Sequence, residues 1–564
     1  MSDLASTSLP PWATEIIDLY ESGACSQFIL HGNVSDRILL PSTQGKERIA
    51  SVDEFLKEVL LSHFDVILSY DLGNGIRVEK GGDRFGEWPS WKDKVLPSAP
   101  RDAIYVLTHY LRFCANLARI KPGQTTRAAV IIRNAGLIVP PAPGGANYEL
   151  SAIASQLREW AADSAIADQH CATFLLTENL NDLHPLVAQN PQAARISVPL
   201  PRQLDLELAL AQLNVRYPTP LTPFVGKLAE PAAALVGATL HSIETLIQTR
   251  EHHRAALTSV DLVALKKELV ERDAQGLIEF VKPDRTLDDL QGQAAIKTWL
   301  RQDIALWRAG DLAALPMGYL FCGPVGTGKT YMVECLAGEA GVPVVKMKNF
   351  RDKWVGSTES NLEKIFRLLD ALGRCIVFID EADQSLGRRS VDSGDSGISG
   401  RVYGMMAEQM SDSRKRGRIL WVLATSRPDL VEVDLKRPGR VDVKIPLFPT
   451  ATADEGYGLL RALAKRRSVE LEKTLPEKFR SSIPDLLTPG AAEALSVKIY
   501  RTLRTGVTSP ESALESALKD YQPPVPSSVI QSQIALAVAE ATDLSFVPER
   551  FRLRTQGSLR SLGP

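Results

Sequence analysis

Three clusters in this sequence have the residue types and the spacing for phosphate chemistry. The first is Gly323-Pro324-Val325-Gly326-Thr327-Gly328-Lys329-Thr330, a complete G-x-x-x-x-G-K-[ST] pattern. Its glycines let backbone N–H groups curl around phosphate oxygens, Lys329 reaches the terminal phosphates, and the Thr330 hydroxyl suits Mg²⁺. The run Tyr319-Leu320-Phe321-Cys322 before it reads as a strand and Tyr331 to Ala340 after it as a helix. The pattern works only in that setting, so a nucleoside triphosphate site is the first expectation.

The second cluster is Cys375-Ile376-Val377-Phe378-Ile379 followed by Asp380-Glu381-Ala382-Asp383, an apolar strand ending in acids. Phosphoryl transfer to water needs one carboxylate to hold the metal shell and another to polarise the attacking water. Asp380 is the candidate for the metal and Glu381 for the base. The third cluster, Leu435-Lys436-Arg437-Pro438-Gly439-Arg440, displays two arginines on a Pro-Gly turn. Planar, permanently charged donors suit a γ-phosphate, and in ring ATPases they reach it from the adjacent subunit.

The elements that must position these clusters follow from the pattern around them. From Thr286 onward, strand-like runs at Tyr319–Cys322, Val342–Met347, Cys375–Ile379, Ile419–Ala424 and Val443–Leu447 alternate with helical segments such as Glu359–Leu372 and Arg401–Ser411. That order predicts a parallel sheet covered by helices. After Pro449 the pattern is helical, with a Pro-rich break at Tyr521 to Pro526. The expectation is an α/β P-loop core with a helical lid.

The first half repeats this order faintly, with strand-like runs at Gln27–Leu30, Phe64–Ser69, Ala129–Ile132, Cys171–Leu176 and Ile196–Pro199. Forty-four positions separate Arg133 from Thr177, and 45 separate Asp380 from Thr425. An internal duplication is expected, with the chemistry of the first copy lost. Leu30-His31-Gly32-Asn33-Val34-Ser35-Asp36 stands where a phosphate loop would be, and Arg133-Asn134 where the acids would be. The expected organisation is a degenerate α/β domain over 1–205, a helical lid-like segment and linker over 206–275, an active core over 276–450, and a C-terminal helical lid over 451–564. Residues 140–146, rich in Pro and Gly, read as an exposed loop.

Bulk composition bounds the alternatives. The 564 residues are 44% hydrophobic and 23% charged with a net charge of −2, ordinary for a globular chain and without a broad electrostatic footprint for a polyanion. Six scattered cysteines form no C-x-x-C pair, so buried reduced thiols are expected. All eight histidines precede the phosphate loop, with no H-E-x-x-H pair for a fused zinc protease. No apolar run reaches the roughly 18 residues that span a bilayer. The polar N-terminus lacks the pattern of a secretion signal, and a cytoplasmic location is expected.

Taken together, the motifs resemble the AAA family of the AAA+ P-loop superfamily over residues 286 to 450, from Thr286-Leu287-Asp288-Asp289-Leu290-Gln291-Gly292 through Ala424-Thr425-Ser426-Arg427-Pro428-Asp429 to Arg437–Asp442. The resemblance implies that Asp289, Leu290 and Gly292 border the adenine, that Tyr331 belongs to the nucleotide site, and that Gly490 and Ala491 approach adenine and ribose from the lid. It implies Mg²⁺-ATP, a homo-oligomeric ring that would be hexameric, and a pore loop at Lys353-Trp354-Val355-Gly356, with Arg388 to Ser399 as a second pore loop. Ser426 departs from the family's usual Asn at the end of the sensor strand. A shorter hydroxyl offers fewer bonds to water, which would slow hydrolysis. More loosely, an eroded first half joined by a helical Val263–Phe280 resembles the Ycf-type AAA proteins of cyanobacteria and plastids. The lid carries an extended insertion between Ala464 and Tyr521, and the final residues lack the hydrophobic–Tyr tail that docks some rings on a protease chamber.

The leading expectation is an ATP-hydrolysing ring that remodels or threads protein substrates. An ATP-switched assembly scaffold with slow hydrolysis stays open on Ser426. A nucleic-acid motor or loader would rest on Arg414-Lys415-Arg416-Gly417-Arg418 and Lys465-Arg466-Arg467, clusters more usual as solvated turns, so nucleic acid is disfavoured as a partner.

Overall fold

The computed structural model describes residues 9–40, 48–90, 94–120, 125–141, 147–167, 170–258, 262, 267–268, 270–271, 274, 276–281, 284–348, 358–386, 396–506, 509–519 and 521–552. The expected pore loop at Lys353–Gly356 lies outside these residues, as do most of the loop at 140–146 and the first part of the second pore loop. The chain forms two compact units. One comprises Met1–Gln275 with Glu359–Leu372, the other Gly276–Thr358 with Gly373–Pro564.

Among the described residues of the first unit, eight strands form: β1 (Gln27–Gly32), β2 (Arg37–Leu40), β3 (Arg48–Ser51), β4 (Val66–Asp71), β5 (Gly75–Lys80), β6 (Ala128–Ile132), β7 (Cys171–Thr177) and β8 (Ala194–Val198). Six of them make one sheet in the order β5-β4-β6-β7-β1-β8, parallel except for β5, and β2 pairs with β3 as a separate hairpin. Central strands of a helix-covered sheet are buried on both faces, so their sequences are continuous apolar runs. Along β1, Phe28 and Leu30 join one core with Ile131 and Phe174, while Ile29 joins the opposite core with Val130 and Trp160. Helices Gln203–Arg216 and Leu240–His252 close a third apolar cluster around Leu206, Leu213 and Ile243.

The second unit holds β9 (Ile278–Val281), β10 (Gly318–Cys322), β11 (Val344–Met347), β12 (Cys375–Ile379), β13 (Ile419–Thr425) and β14 (Val443–Pro446). Their order is β14-β10-β13-β12-β11-β9, parallel except for β9. Read from the antiparallel edge, the parallel strands of both sheets follow one order: second, third, fourth, first, fifth. The edge strand itself comes from different places, β5 from a hairpin after β4 and β9 from ahead of the parallel strands of its unit. Helices Ala453–Lys465, Pro489–Arg504 and Pro510–Lys519 pack as a lid around Tyr457, Leu495, Ile499 and Leu514.

The helical join Val263–Phe280 needs correction at its end. Ile278-Glu279-Phe280-Val281 alternates buried and half-buried residues and pairs antiparallel with β11, Val345 opposite Phe280. A four-residue alternation cannot be told from a helix end by pattern alone. Among the described residues there is no disulfide, five of the six cysteines are buried, and no helix is long and apolar enough to cross a membrane.

Candidate functional site

The phosphate loop is shaped by its exit from the sheet. Leu447 N donates to Cys322 O at 2.7 Å, which draws the end of β14 against the turn after β10. A Cβ on Gly323, at φ 147°, would lie 2.1 Å from Leu447 O, so only glycine fits. The chain then turns through Pro324 to Gly328 into the helix Lys329–Ala340, whose first N–H groups face the loop. A helix N-terminus behind such a loop suits a phosphate.

Lys329 folds back on this loop, its Nζ donating to Gly323 O at 2.9 Å and Pro324 O at 3.0 Å. Burial pulls its ammonium down to about 8, with the carboxylates of Asp380 and Asp383 acting in the opposite sense. Thr330 Oγ1 donates to Asp380 Oδ2 at 3.3 Å, so the loop hydroxyl and the strand-end acid meet. Two hard oxygen donors side by side fit a divalent cation such as Mg²⁺. Lys346 Nζ sits on the same Oδ2 at 3.2 Å.

Glu381 is exposed and holds a left-handed backbone, φ 48° and ψ 49°, at the head of the short helix Ala382–Ser385. A non-glycine residue in that region is strained, and such strain collects at functional turns. Asn134 has the same conformation after β6, φ 49° and ψ 47°. Asp383 accepts a hydrogen bond from Thr425 Oγ1 at 2.6 Å, and that hydroxyl accepts from Arg427 N at 2.9 Å. This chain of bonds fixes the end of β13, where Ser426 is half-buried.

The lid meets the loop at Gly490, whose N–H donates to Gly326 O at 2.9 Å, while Thr488 Oγ1 caps the helix by accepting from Ala491 N at 3.3 Å. A cavity of about 410 Å³ lies alongside, lined by Gln291, Gly292, Phe448, Thr450 and Pro489 among others. Arg466, in the basic cluster read as a solvated turn, donates instead to Asp289 O at 3.2 Å and to the Tyr331 hydroxyl at 2.9 Å. Arg467 donates to Ser496 Oγ at 3.0 Å and pairs with Glu493. In the other cluster Arg416 donates to Leu315 O at 2.8 Å. These basic side chains are engaged within the unit.

The two arginines of the third cluster do not turn toward the loop. Arg437 pairs with Asp434 at 3.1 Å and Arg440 with the same carboxylate, and among the described residues every side-chain bond of either ends on Asp434. Arg437 is 70% exposed.

Three contributors escaped the sequence reading. Gln533, 7% exposed on the helix Ser527–Glu540, accepts from Val325 N at 3.1 Å. Arg466 and Lys346 are the others. Arg466 stands in a basic cluster and the other two in no motif, and each reaches its target only through the fold.

Residues 319–448 match the family model described as "ATPase family associated with various cellular activities (AAA)". This stretch is an AAA domain. Residues 3–199 match a second model, "AAA+ chaperone, N-terminal Rossmann-like domain". Relatives of this chain include a "Cell division cycle protein 48 homolog" of Archaeoglobus fulgidus, 30% identical over 49% of this chain and 38% of that protein. They also include the "Peroxisomal ATPase pex6" of Schizosaccharomyces pombe, 31% identical over 35% of this chain and 21% of that protein. The "ATP-dependent zinc metalloprotease FtsH 1" of Salinibacter ruber is 33% identical over 32% and 28%. The matches thus span well under half the length of these relatives. Two of them carry ATP in their names, one as an ATPase and one as an ATP-dependent protease. Among the described residues no group of three His, Cys, Asp or Glu is placed to hold a metal ion.

Proposed function

We propose that this chain is an ATP-hydrolysing AAA ring protein, Mg²⁺-dependent and cytoplasmic, that remodels or threads protein substrates. The meeting of Lys329, Thr330 and Asp380 on one loop carries the reading. Lys329 and the loop N–H groups would hold the phosphates, Thr330 and Asp380 a Mg²⁺ ion that stabilises charge on them, and Glu381 would take the proton of the attacking water. Asp289, Leu290, Gly292, Tyr331, Gly490 and Ala491 would frame the base and ribose. The exposure of Arg437 and the bonds of both arginines to Asp434, not to the loop, support their donation to a neighbouring subunit's site in a hexamer. Trp354, with Lys353, Val355 and Gly356, would grip substrate in the pore. The shared strand order supports an internal duplication, with the first half acting as a scaffold and the boundaries at 205, 275 and 450.

Steady-state ATPase of wild type against Glu381→Gln tests this reading. We expect near-complete loss of turnover with ATP binding retained, and assembly of wild type into a six-subunit particle in ATP by light scattering. Rates that do not differ would exclude hydrolysis at this site. They would favour a second reading, an ATP-switched scaffold, which draws on Ser426 and on the Lys346 ammonium at Asp380. A Trp354→Ala ring that hydrolyses ATP and still remodels fully would remove threading.

A further inference from the structure

The first unit retains the frame of a nucleotide site and fills it with its own charges. Gly32, at φ 104°, is pressed against the end of β8 as Gly323 is against the end of β14: a Cβ there would lie 2.5 Å from Val198 O. Only Asn33 to Asp36 then separate β1 from β2, so no helix follows to cradle a phosphate. Asp36 occupies that turn and is 5% exposed. Its Oδ2 accepts from Leu240 N at 2.9 Å and from Asn33 Nδ2 at 2.7 Å, and its Oδ1 accepts from His241 N at 2.8 Å.

Those two amides open the helix Leu240–His252, which Thr239 caps by accepting from Ser242 N at 3.2 Å. In the second unit the matching lid helix, Pro489–Arg504, is capped by Thr488 in the same way. Its Gly490 touches the phosphate loop through one backbone bond. In the first unit a buried carboxylate makes that junction, and the N–H groups of the helix terminus already carry their anion.

The position of Asp380 is filled with opposite charge. Arg133 donates to both Asp53 oxygens at 2.8 and 2.9 Å and to Glu79 at 2.8 Å. Lys57 completes the network at 2.8 Å from Asp53 and 3.1 Å from Glu79. A cavity of about 310 Å³ remains beside Asp36. Its cations Lys364 and Arg367 share it with Asp36 and Glu178, and Arg367 Nη1 already donates to Glu178 O at 2.8 Å.

We propose that Asp36 is an internal substitute for a nucleotide's phosphate. It latches the helix Leu240–His252 onto the loop after β1, so the first unit stays closed without ligand and takes no nucleotide. Calorimetric titration of the full chain with Mg²⁺-ATP should give one site per chain in wild type and none in Lys329→Ala. One site remaining in Lys329→Ala, or two in wild type, would overturn the proposal. No binding in wild type would count against the ATP reading of the second unit and leave the latch standing. Hydrogen exchange reads the latch directly: in Asp36→Ala the Leu240 and His241 amides should exchange about tenfold faster, as expected for losing a bond to a charged acceptor. Asp36→Asn keeps one acceptor and should move the same amides in the same direction if the alanine variant does not fold. Unchanged exchange in a folded variant would refute the latch.

Discussion

Lys346 Nζ lies 3.2 Å from Asp380 Oδ2, so the carboxylate that faces Thr330 already carries a cation. Lys346 also stacks over the Phe378 ring at 5.5 Å, which holds it in place from the neighbouring strand. A divalent ion at Asp380 must compete with this ammonium. Both side chains are 30% exposed, which puts the pair in the range of about 0.2–1 kcal/mol. Lys346→Met should therefore lower the Mg²⁺ concentration for half-maximal ATPase by up to about fivefold. A rise in that concentration would show that the lysine helps the metal.

Lys329 should take up a proton when a triphosphate binds. Burial depresses its ammonium to about 8, so near that pH roughly half the free chains carry it neutral. Phosphates favour the charged form. Calorimetry in buffers of differing ionisation enthalpy should show uptake of about half a proton at pH 8 and little at pH 6.5. Affinity should fall as pH rises from 7 to 9.

Gln533 braces the loop from the far end of the chain. Removing its acceptor strands the Val325 N–H, at a cost of about 0.5–1.5 kcal/mol. Gln533→Ala should raise the dissociation constant for ATP by about two- to tenfold, while Gln533→Glu, which still accepts, should not. Fluorescent-nucleotide titration separates the two.

Glu363 predicts a pH dependence in the first unit. It accepts from Leu180 N at 3.1 Å and Asn181 Nδ2 at 2.5 Å, and burial pushes its carboxyl up to about 7. Arg367 pulls the other way and Asp182 adds to the rise. A carboxyl raised in the folded state stabilises most while protonated. Its contribution is full below about 4.5 and is lost as pH rises through 7. The thermal midpoint of the first unit should drop across that window in wild type and lose this component in Glu363→Gln.

Much of the AAA domain was legible because its chemistry is local. A contiguous glycine-rich loop encodes its own backbone shape, and strands buried on both faces announce themselves as apolar runs such as Cys375–Ile379 and Ile419–Thr425. The short antiparallel edges were not legible. β5 and β9 close the same side of their sheets from different points along the chain, and four residues such as Ile278–Val281 carry too little pattern to choose between helix and strand.

The amino-acid order alone determined the three phosphate-chemistry clusters, their sequence along the chain and their absence from the first half. Only the tertiary structure decided what each charge does once placed. Asp36 meets the amides of Leu240 and His241 across 204 and 205 positions, and Gln533 meets Val325 across 208. Arg466 and Arg467, indistinguishable from a solvated turn by spacing, end on Tyr331 and Glu493. The reason is physical. A backbone conformation is fixed by neighbours a few residues away, whereas the partner of a side chain depends on where distant segments are brought by packing, and no local pattern records that.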